Sequence, residues 1–498
     1  MISVSIVAEL SASNTSPHAQ LEVLRPQISR DIDVHFISRE MITDQEVALL
    51  ENASVSPRVS VHNSLSDAVN SCAGEILLFL GSGSSLHPEG VERVRRITSQ
   101  QTEIAVWYST QVHVQSSSKK SHVKRLPHFS PERLLGENYL RFGFIARRSV
   151  VQDVASEIHS VETASLYALI LRLTHVNPLV GHISAPVFIE NSIEDDRIIS
   201  KNLQNEECEV VRNELAHRNI DAQVCVESLG SRRIQRAIFR DPLVSIVIPT
   251  GTKTRNTDGS SIVLVEQCVK SILKTSTYEN YEILLVQDQT KIVSDALLRW
   301  EEDPRITVIP YSKAFNFADK CNLGFVHSRG DFVIFLNDDT KVISSDWIET
   351  LIGHLQDMGV GASAPTLLFE DGRVQSASIC NNPAPHDHGA GQSIAEFSSH
   401  SLNQIAREVS GVTGACIAIR RAVYSEVGGM SVQFPNNFND IDLCFKLLHK
   451  SYRIIWTPFA QLTHFEAQSR NPNVAEHESQ LLRSRWGRFF NNDKFTPA

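Results

Sequence analysis

Four places along the chain gather side chains able to do chemistry. The densest is Phe335-Leu336-Asn337-Asp338-Asp339-Thr340, where two carboxylates directly follow an apolar run. Adjacent acids at a strand end repel one another unless something cationic sits beside them. Hard divalent cations such as Mg2+ or Mn2+ use one or two carboxylates together with substrate phosphates. The same residues also suit a turn, through the backbone chemistry of Asn and Asp. The second place is Phe438-Asn439-Asp440-Ile441-Asp442-Leu443-Cys444, ahead of a helical stretch to Lys450. An acid in a first helical turn suits the helix dipole, yet residues two apart do not share a helix face. One of Asp440 and Asp442 can therefore point into a cleft while the other anchors the helix. Asp440 fits a general base, which needs a carboxylate within hydrogen-bond reach of the proton it takes. The third place is His464 in Leu462-Thr463-His464-Phe465-Glu466, either a structural histidine or a ligand. The fourth is Asp288, at the end of the apolar run from Asn280. It is a turn residue or, as at strand ends of nucleotide-binding α/β folds, an acid that reads a ribose or base.

The elements that must hold these groups are legible as short β-branched runs and amphipathic stretches. Val244–Ile248, Glu282–Val286 and Asp331–Leu336 read as strands, with Ser261–Lys274 and Phe317–His327 as helices between them. Tyr452–Thr457 reads as a further strand ahead of His464. Such β-α-β alternation predicts a mostly parallel sheet wrapped by helices, with ligands at the carboxyl ends of its strands. The same order occurs twice. Val4-Ser-Ile-Val-Ala returns at Val244, Gly74-Glu-Ile-Leu-Leu-Phe-Leu at Gly330, and Arg147-Arg-Ser-Val-Val at Arg420. The offsets rise in chain order, 240, 256 and 273, as they would if the second copy carried longer loops. Two domains also suit 498 residues, about three times the ~150 of a single domain. The boundary is expected at 235–243, where Arg232, Arg233, Arg236 and Arg240 lead into Asp241-Pro242, giving domains 1–235 and 241–498.

Composition narrows the function classes. With 42 % apolar and 21 % charged residues the chain is an ordinary globular protein. A net charge of −10 without a long basic run argues against nucleic-acid binding. The eight cysteines are scattered, without a C-x-x-C pair, and fit reduced thiols of a cytosolic protein. The N-terminus reads as a first strand rather than a signal peptide, and the apolar runs fall far short of the ~20 residues a bilayer requires. Peripheral membrane attachment stays open.

In order, Val244-Ser-Ile-Val-Ile-Pro249-Thr250, Asp288, Phe315-Asn-Phe with Asn322-Leu-Gly324, and Leu336-Asn-Asp-Asp339 resemble a family 2 glycosyltransferase of the GT-A fold. So do Val412-Thr413-Gly414-Ala-Cys416, the Asp440 motif and His464, over residues 243 to 487. The nearest likeness is to bacterial enzymes of surface-polysaccharide assembly, rhamnosyltransferases among them. The resemblance implies two tandem GT-A-like, Rossmann-like domains, the second catalytic. It implies that Asn337-x-Asp339, completed by His464, carries a divalent Mn2+ or Mg2+ that grips the donor diphosphate. Asp440 is then the base, with Thr413, Gly414 and Asp442 on the acceptor side. Pro249, Thr250, Asp288, Asn322 and Asp338 fall on the donor side, and Arg470 is a weaker candidate for the diphosphate. The implied reaction is inverting transfer from a UDP- or dTDP-linked sugar to a glycan acceptor, expected to be polyprenyl-linked at the inner leaflet, by a cytoplasmic protein. Two departures stand out: Gln287 precedes Asp288 where an acid pair is usual, and Asn337 opens the metal motif in place of Asp.

The first copy lacks these groups. Gly81-Ser82-Gly83 stands opposite Asn337-Asp338-Asp339, Thr163 and Ser165 opposite Asp440 and Asp442, and Ala185–Ile189 offers no histidine. Residues 1–235 are thus expected to form a degenerate GT-A-like domain without transferase activity, a packing partner, acceptor-binding platform or docking surface, with acceptor contacts sought at Gly136–Leu140 and Gly181–Pro186. The Gly-Ser-Gly-Ser-Ser loop could alternatively cradle phosphate through backbone N–H groups. Two other functions compete: a sugar-nucleotide pyrophosphorylase, which wants a Gly-rich basic signature that Thr250–Thr257 does not supply, and a non-catalytic glycan-binding or scaffold protein.

Overall fold

The structure is a computed structural model that describes residues 2–10, 24, 31–38, 59–115, 121–158, 165–192, 201–227, 230–257, 260–289, 303–382, 384–465, 476–490 and 493–495. The chain divides into two compact units, the change falling between Arg232 and Arg233 with Asp221–Gln223 counted in the second. That is a few residues ahead of the expected linker. No helix among the described residues is long and apolar enough to cross a membrane.

In the first unit, strands β1 (Val4–Glu9), β2 (Asp33–Ile37), β3 (Val59–His62), β4 (Ile76–Leu80), β5 (Ser84–Leu86), β6 (Val106–Gln115), β7 (Ser121–Lys124), β8 (Gly143–Arg147) and β9 (Val180–Ser192) form one sheet. Its order is β3-β2-β1-β4-β8-β6-β9-β5, with β7 beside β6. The second unit contributes β10 (Val244–Thr250), β11 (Tyr281–Asp288), β12 (Ile306–Tyr311), β13 (Phe332–Leu336), β14 (Thr340–Val342), β15 (Val360–Leu368), β16 (Cys416–Arg420) and β17 (Arg453–His464). These lie in the order β12-β11-β10-β13-β16-β15-β17-β14, position for position the path of the first unit. In both, the first four strands of the path run parallel and the fifth reverses direction. The repeat read from three short sequence matches is therefore a repeat of topology.

Buried polar clamps recur with it. In the first unit Ser5 Oγ donates to Asp33 Oδ1 (2.5 Å) and accepts from the Gly74 N–H (2.7 Å). In the second, Ser245 Oγ donates to Glu282 Oε1 (2.7 Å) and accepts from the Gly330 N–H (2.8 Å). Both glycines are obligatory, since a Cβ there would lie 2.4 Å from Ser5 N and 2.7 Å from Ser245 N. At the far side of β8 and β16, Arg147 and Arg420 each cap a helix end by donating to its carbonyls: Thr98 and Gln101 in one case, Leu355, Asp357 and Met358 in the other.

The strands alternate between two apolar layers, as a sheet covered on both faces must. In β10, Ile246 and Ile248 join a core with Trp347 and Ile352, while Val247 faces the opposite layer with Phe335, Tyr424 and Trp456. The helix predicted at 317–327 is present with those bounds, because Asn316 caps it by accepting the Asp319 N–H at 3.0 Å. The helix predicted from Ser261 begins only at Leu264, since Ser260–Val263 instead pairs with Thr254–Thr257 as a hairpin. The strand predicted over 452–457 runs on to His464. Of the Gly-Ser-Gly-Ser-Ser run, Ser84 and Ser85 already belong to β5, and the next helix starts only at Gly90. The run therefore lacks the helix start that a phosphate cradle needs.

Candidate functional site

The chemistry-bearing residues of the second unit collect where the parallel strands end. Thr250 closes β10, Asp288 closes β11, and Asn337-Asp338-Asp339 follow β13. Thr250 Oγ1 donates to Asp338 Oδ2 (2.7 Å) and accepts from the Thr252 N–H (3.0 Å). Thr252 itself takes a left-handed φ of +52°. Pro249 lies buried in β10 opposite Val286. Gln287, in place of the usual acid, donates to Thr252 Oγ1 at 3.3 Å.

Burial and the neighbouring Asp339 charge push the Asp338 carboxyl up to about 6, against the pull of Thr250, the Gly251 N–H and Lys320. Lys320 escaped the sequence reading. It is fully buried, its Nζ lies 2.6 Å from Asp288 Oδ1, and it donates to the Thr250 carbonyl at 2.8 Å. The rings of Tyr311 and Phe315 flank the ammonium at 5.3 and 5.6 Å. Its signal lay in the helical period: Lys320 falls on the face of Phe317, Cys321 and Gly324, all buried. A cation there needs an anion to meet.

β14 pairs with β17 so that Thr340 stands opposite His464. His464 Nε2 thereby comes within 3.0 Å of Asp339 Oδ1 and 3.2 Å of Asn337 Nδ2. The other ring nitrogen, Nδ1, is 2.7 Å from Gln375 Oε1, and Gln375 Nε2 donates to the His464 carbonyl. That second bond orients the amide, so Nδ1 donates to Gln375 Oε1 and Nε2 is turned toward a carboxylate. Such a pair of electron-rich atoms calls for a cation, a proton or a metal ion, between them. Asn337 Oδ1, buried beside them, has no hydrogen-bond partner. Among the described residues no group of three His, Cys, Asp or Glu side chains is arranged around a metal position. The donor set nevertheless fits a hard divalent cation that takes one carboxylate and one imidazole here and draws its remaining oxygens from a substrate. Nothing in the sequence pointed to Gln375.

Asp440 enters from the other side of β13. The Asn337 N–H donates to the Ala415 carbonyl (2.9 Å), which holds the 411–415 loop against the acidic turn. From that loop the Gly414 N–H donates to Asp440 Oδ2 at 2.8 Å, while Oδ1 accepts from the Ile441 N–H. Phe438, just before, adopts a left-handed φ of +61°. A bulky residue does so only under constraint from its surroundings. Asp440 stays half-buried, with Thr413 half-buried near it.

Two candidates do not join the site. Asp442, expected on the acceptor side, is wholly buried and accepts from Arg485 Nη1 (2.9 Å) and Trp486 Nε1 (2.8 Å), with Lys446 3.3 Å away. It ties its helix to Glu476–Trp486, the anchoring half of the alternative the sequence left open. Asn322, expected at the donor, accepts from Tyr424 OH and the Met430 N–H and donates to the Met430 carbonyl. Its amide is spent on fixing the Gly428–Met430 turn. Arg470 and Thr163 lie outside the described residues.

Acids, an imidazole and a buried lysine thus gather at the carboxyl ends of parallel strands, where open α/β sheets bind their ligands. Residues 245–428 match the model of glycosyl transferase family 2, and the second unit is a family 2 glycosyltransferase domain. Asp440 and His464 lie beyond the matched segment. The chain is 25 % identical over 469 residues to the O-antigen biosynthesis protein RfbC of Myxococcus xanthus, covering 88 % of this chain and 36 % of that protein. It is 28 % identical over 459 residues to the uncharacterized protein y4gI of Sinorhizobium fredii, covering 86 % and 49 %. A shorter match, 26 % over 81 residues, covers 16 % of this chain and 26 % of the N-acetylglucosaminyl-diphospho-decaprenol L-rhamnosyltransferase of Mycobacterium tuberculosis. The chain thus spans between a third and a half of the length of the first two curated relatives.

Proposed function

We propose that this chain is a metal-dependent, inverting glycosyltransferase that moves a sugar from a nucleoside-diphosphate donor to a hydroxyl of a bacterial surface glycan. One observation carries the reading: Asp339 and His464 face each other at 3.0 Å, beside the turn whose backbone is bonded to the loop that holds Asp440. A cation held by Asp339 and His464 would neutralise the diphosphate as it leaves. The chain's own groups do the rest. Asp288, held by Lys320, and Thr250 stand at the nucleoside end of the donor. Asp440, kept in place by two backbone N–H groups, takes the proton from the acceptor hydroxyl. The acceptor oxygen attacks the anomeric carbon from the face opposite the diphosphate, that carbon–oxygen bond breaks, and configuration inverts. Thr413 and Gly414 border the acceptor side.

The relatives named for O-antigen synthesis and for decaprenol-linked rhamnosyl transfer support a surface-glycan acceptor on a polyprenyl carrier. The donor would be UDP- or dTDP-linked and the chain would act in the cytoplasm, peripheral to the inner face of the membrane. The first unit, with Gly81-Ser82-Gly83 in place of the acids, carries no transferase activity in this reading. The test is thermal stabilisation by UDP, dTDP, GDP and CMP with and without Mn2+. A Mn2+-dependent rise with one nucleoside diphosphate is expected. No shift with any of the four would remove the donor site.

A further inference from the structure

The sheet of the first unit keeps the positions of the acidic turn and of His464, and what fills them is not inert. In the second unit Thr340 pairs with His464; in the first, Ser84 pairs with Glu190. Glu190 therefore stands where His464 stands. The acidic turn is bonded through Asn337 N–H to the Ala415 carbonyl, and Gly81 N–H meets the Phe142 carbonyl in the same way. That places Arg141 at the position of Gly414. Deeper in the sheet, Leu367 pairs with Leu462, both buried, whereas the first unit puts Gln111 opposite Phe188.

Gln111 is 1 % exposed, and neither its Oε1 nor its Nε2 has a hydrogen-bond partner. Ser84, also buried, leaves its Oγ unpaired. A buried amide with no partner is costly, and the second unit shows that leucine fills the same place. Gln111 lies on the face of His113, two residues on, and Ser84, Glu190 and His113 form one row across β5, β9 and β6. His113 Nδ1 lies 3.3 Å from Glu190 Oε2, and Arg141 Nη2 lies 3.9 Å from Glu190 Oε1. The row opens to solvent through His113 and Arg141, both partly exposed, and the exposed Ser82 and Gly83.

We propose that this row binds a neutral glycosyl residue, so that the first unit holds a sugar where the second holds its donor. The choice of ligand rests on the glycosyltransferase reading; the site itself rests on the orphaned amide. Amide, hydroxyl, carboxylate, imidazole and guanidinium together offer both donors and acceptors, which matches sugar hydroxyls that each donate and accept. A nucleoside diphosphate is disfavoured, because the Gly81–Gly83 turn has no carboxylate for a cation and Arg141 faces Glu190.

The test uses the full chain without nucleotide or metal. Saturation-transfer NMR is run against methyl α-L-rhamnoside, methyl β-D-galactoside, methyl α-D-glucoside and methyl N-acetyl-β-D-glucosaminide. At least one should give a signal that survives Asp339→Ala and disappears in Gln111→Leu. Glu190→Gln, nearly isosteric, should weaken the same signal several-fold. Gln111→Leu should melt no lower than wild type. Absence of any glycoside signal, a signal indifferent to Gln111→Leu, or a melting point lowered by that change would each overturn the proposal. The Mn2+-dependent nucleotide shift reports separately on the second unit, so either reading can fail while the other stands.

Discussion

Replacing Lys320 by methionine removes the one charge that Asp288 and the Thr250 carbonyl both address. The side chain is fully buried, and its partner Asp288 retains 19 % side-chain exposure. Breaking a buried ion pair by deleting one member costs about 3–5 kcal/mol, because an uncompensated charge stays behind. Partial hydration of Asp288 sets the expectation at the lower end, about 3 kcal/mol. For a domain of this size each kcal/mol lowers the melting temperature by about 2–4 °C, so Lys320→Met should lose about 6–12 °C. The assay is thermal unfolding of the full chain for wild type, Lys320→Met, Asp288→Asn and the double variant. The double variant should recover much of the loss, since it leaves neither charge unpaired. A single Lys320→Met variant melting within about 2 °C of wild type, on the same scale, would refute the claim that this lysine holds the strand tips together.

Four further outcomes are expected. Asp339→Ala should abolish the Mn2+-dependent rise in melting temperature with nucleoside diphosphate, a shift that reports affinity by mass action. Asp440→Asn keeps an acceptor for the Gly414 N–H and should leave nucleotide binding intact while transfer falls by about 10²–10⁴-fold; equal loss of both would remove its role as base. Asp442→Ala should instead act through folding, costing about 3–5 kcal/mol of stability by leaving Arg485 and Lys446 beside an emptied buried site. In the first unit, burial alone would raise the Asp33 carboxyl, but hydrogen bonds from His35, Ser5 and the Ala73 N–H outweigh it and hold the value at about 2. A depressed carboxyl stabilises above its unfolded value of 3.8. About 2 kcal/mol should therefore drain away as pH falls from about 4 to about 2. Asp33→Asn should flatten that acid limb, which a urea-unfolding series across the range would show.

How much was legible follows from the range of each signal. Strand tips were readable because β-branched runs end in acids, so Asp288, Asp338 and Asp339 could be placed from local sequence alone. The repeat was readable because three runs recur in order, and the strand path of both sheets agrees with it. Asp440 and Asp442 were legible only as alternatives. Their roles depend on Trp486 and Arg485, more than forty positions away in the chain, which take up Asp442, while Asp440 turns to the Gly414 N–H. Asn322 misled for a similar reason: the Tyr424–Met430 turn that consumes its amide is remote in sequence. Lys320 was missed although its helix was placed with correct bounds, because its partners sit on two different strands.

The two units separate what a fold needs from what a site needs. At the amino ends of the strands both keep the same device, a serine bonded to a buried acid and to a glycine N–H, even though the acid is Asp33 in one and Glu282 in the other. That clamp fixes how β1 and β2 lie against β4, and β10 and β11 against β13, so losing it would damage the sheet whether or not chemistry occurs above. At the carboxyl ends the constraint is different. Asn337-Asp338-Asp339 are held by the Thr250 hydroxyl, the His464 imidazole and a backbone bond to the 411–415 loop, contacts made above the strand ends rather than within the apolar layers. A copy released from transfer could therefore replace the acids with Gly81-Ser82-Gly83 at no cost to the frame. It had no such reason to bury Gln111 where leucine fits. If the first unit carries no transferase activity, as proposed, loss accounts for the missing carboxylates, but a partnerless amide inside an intact sheet calls for something that bonds to it.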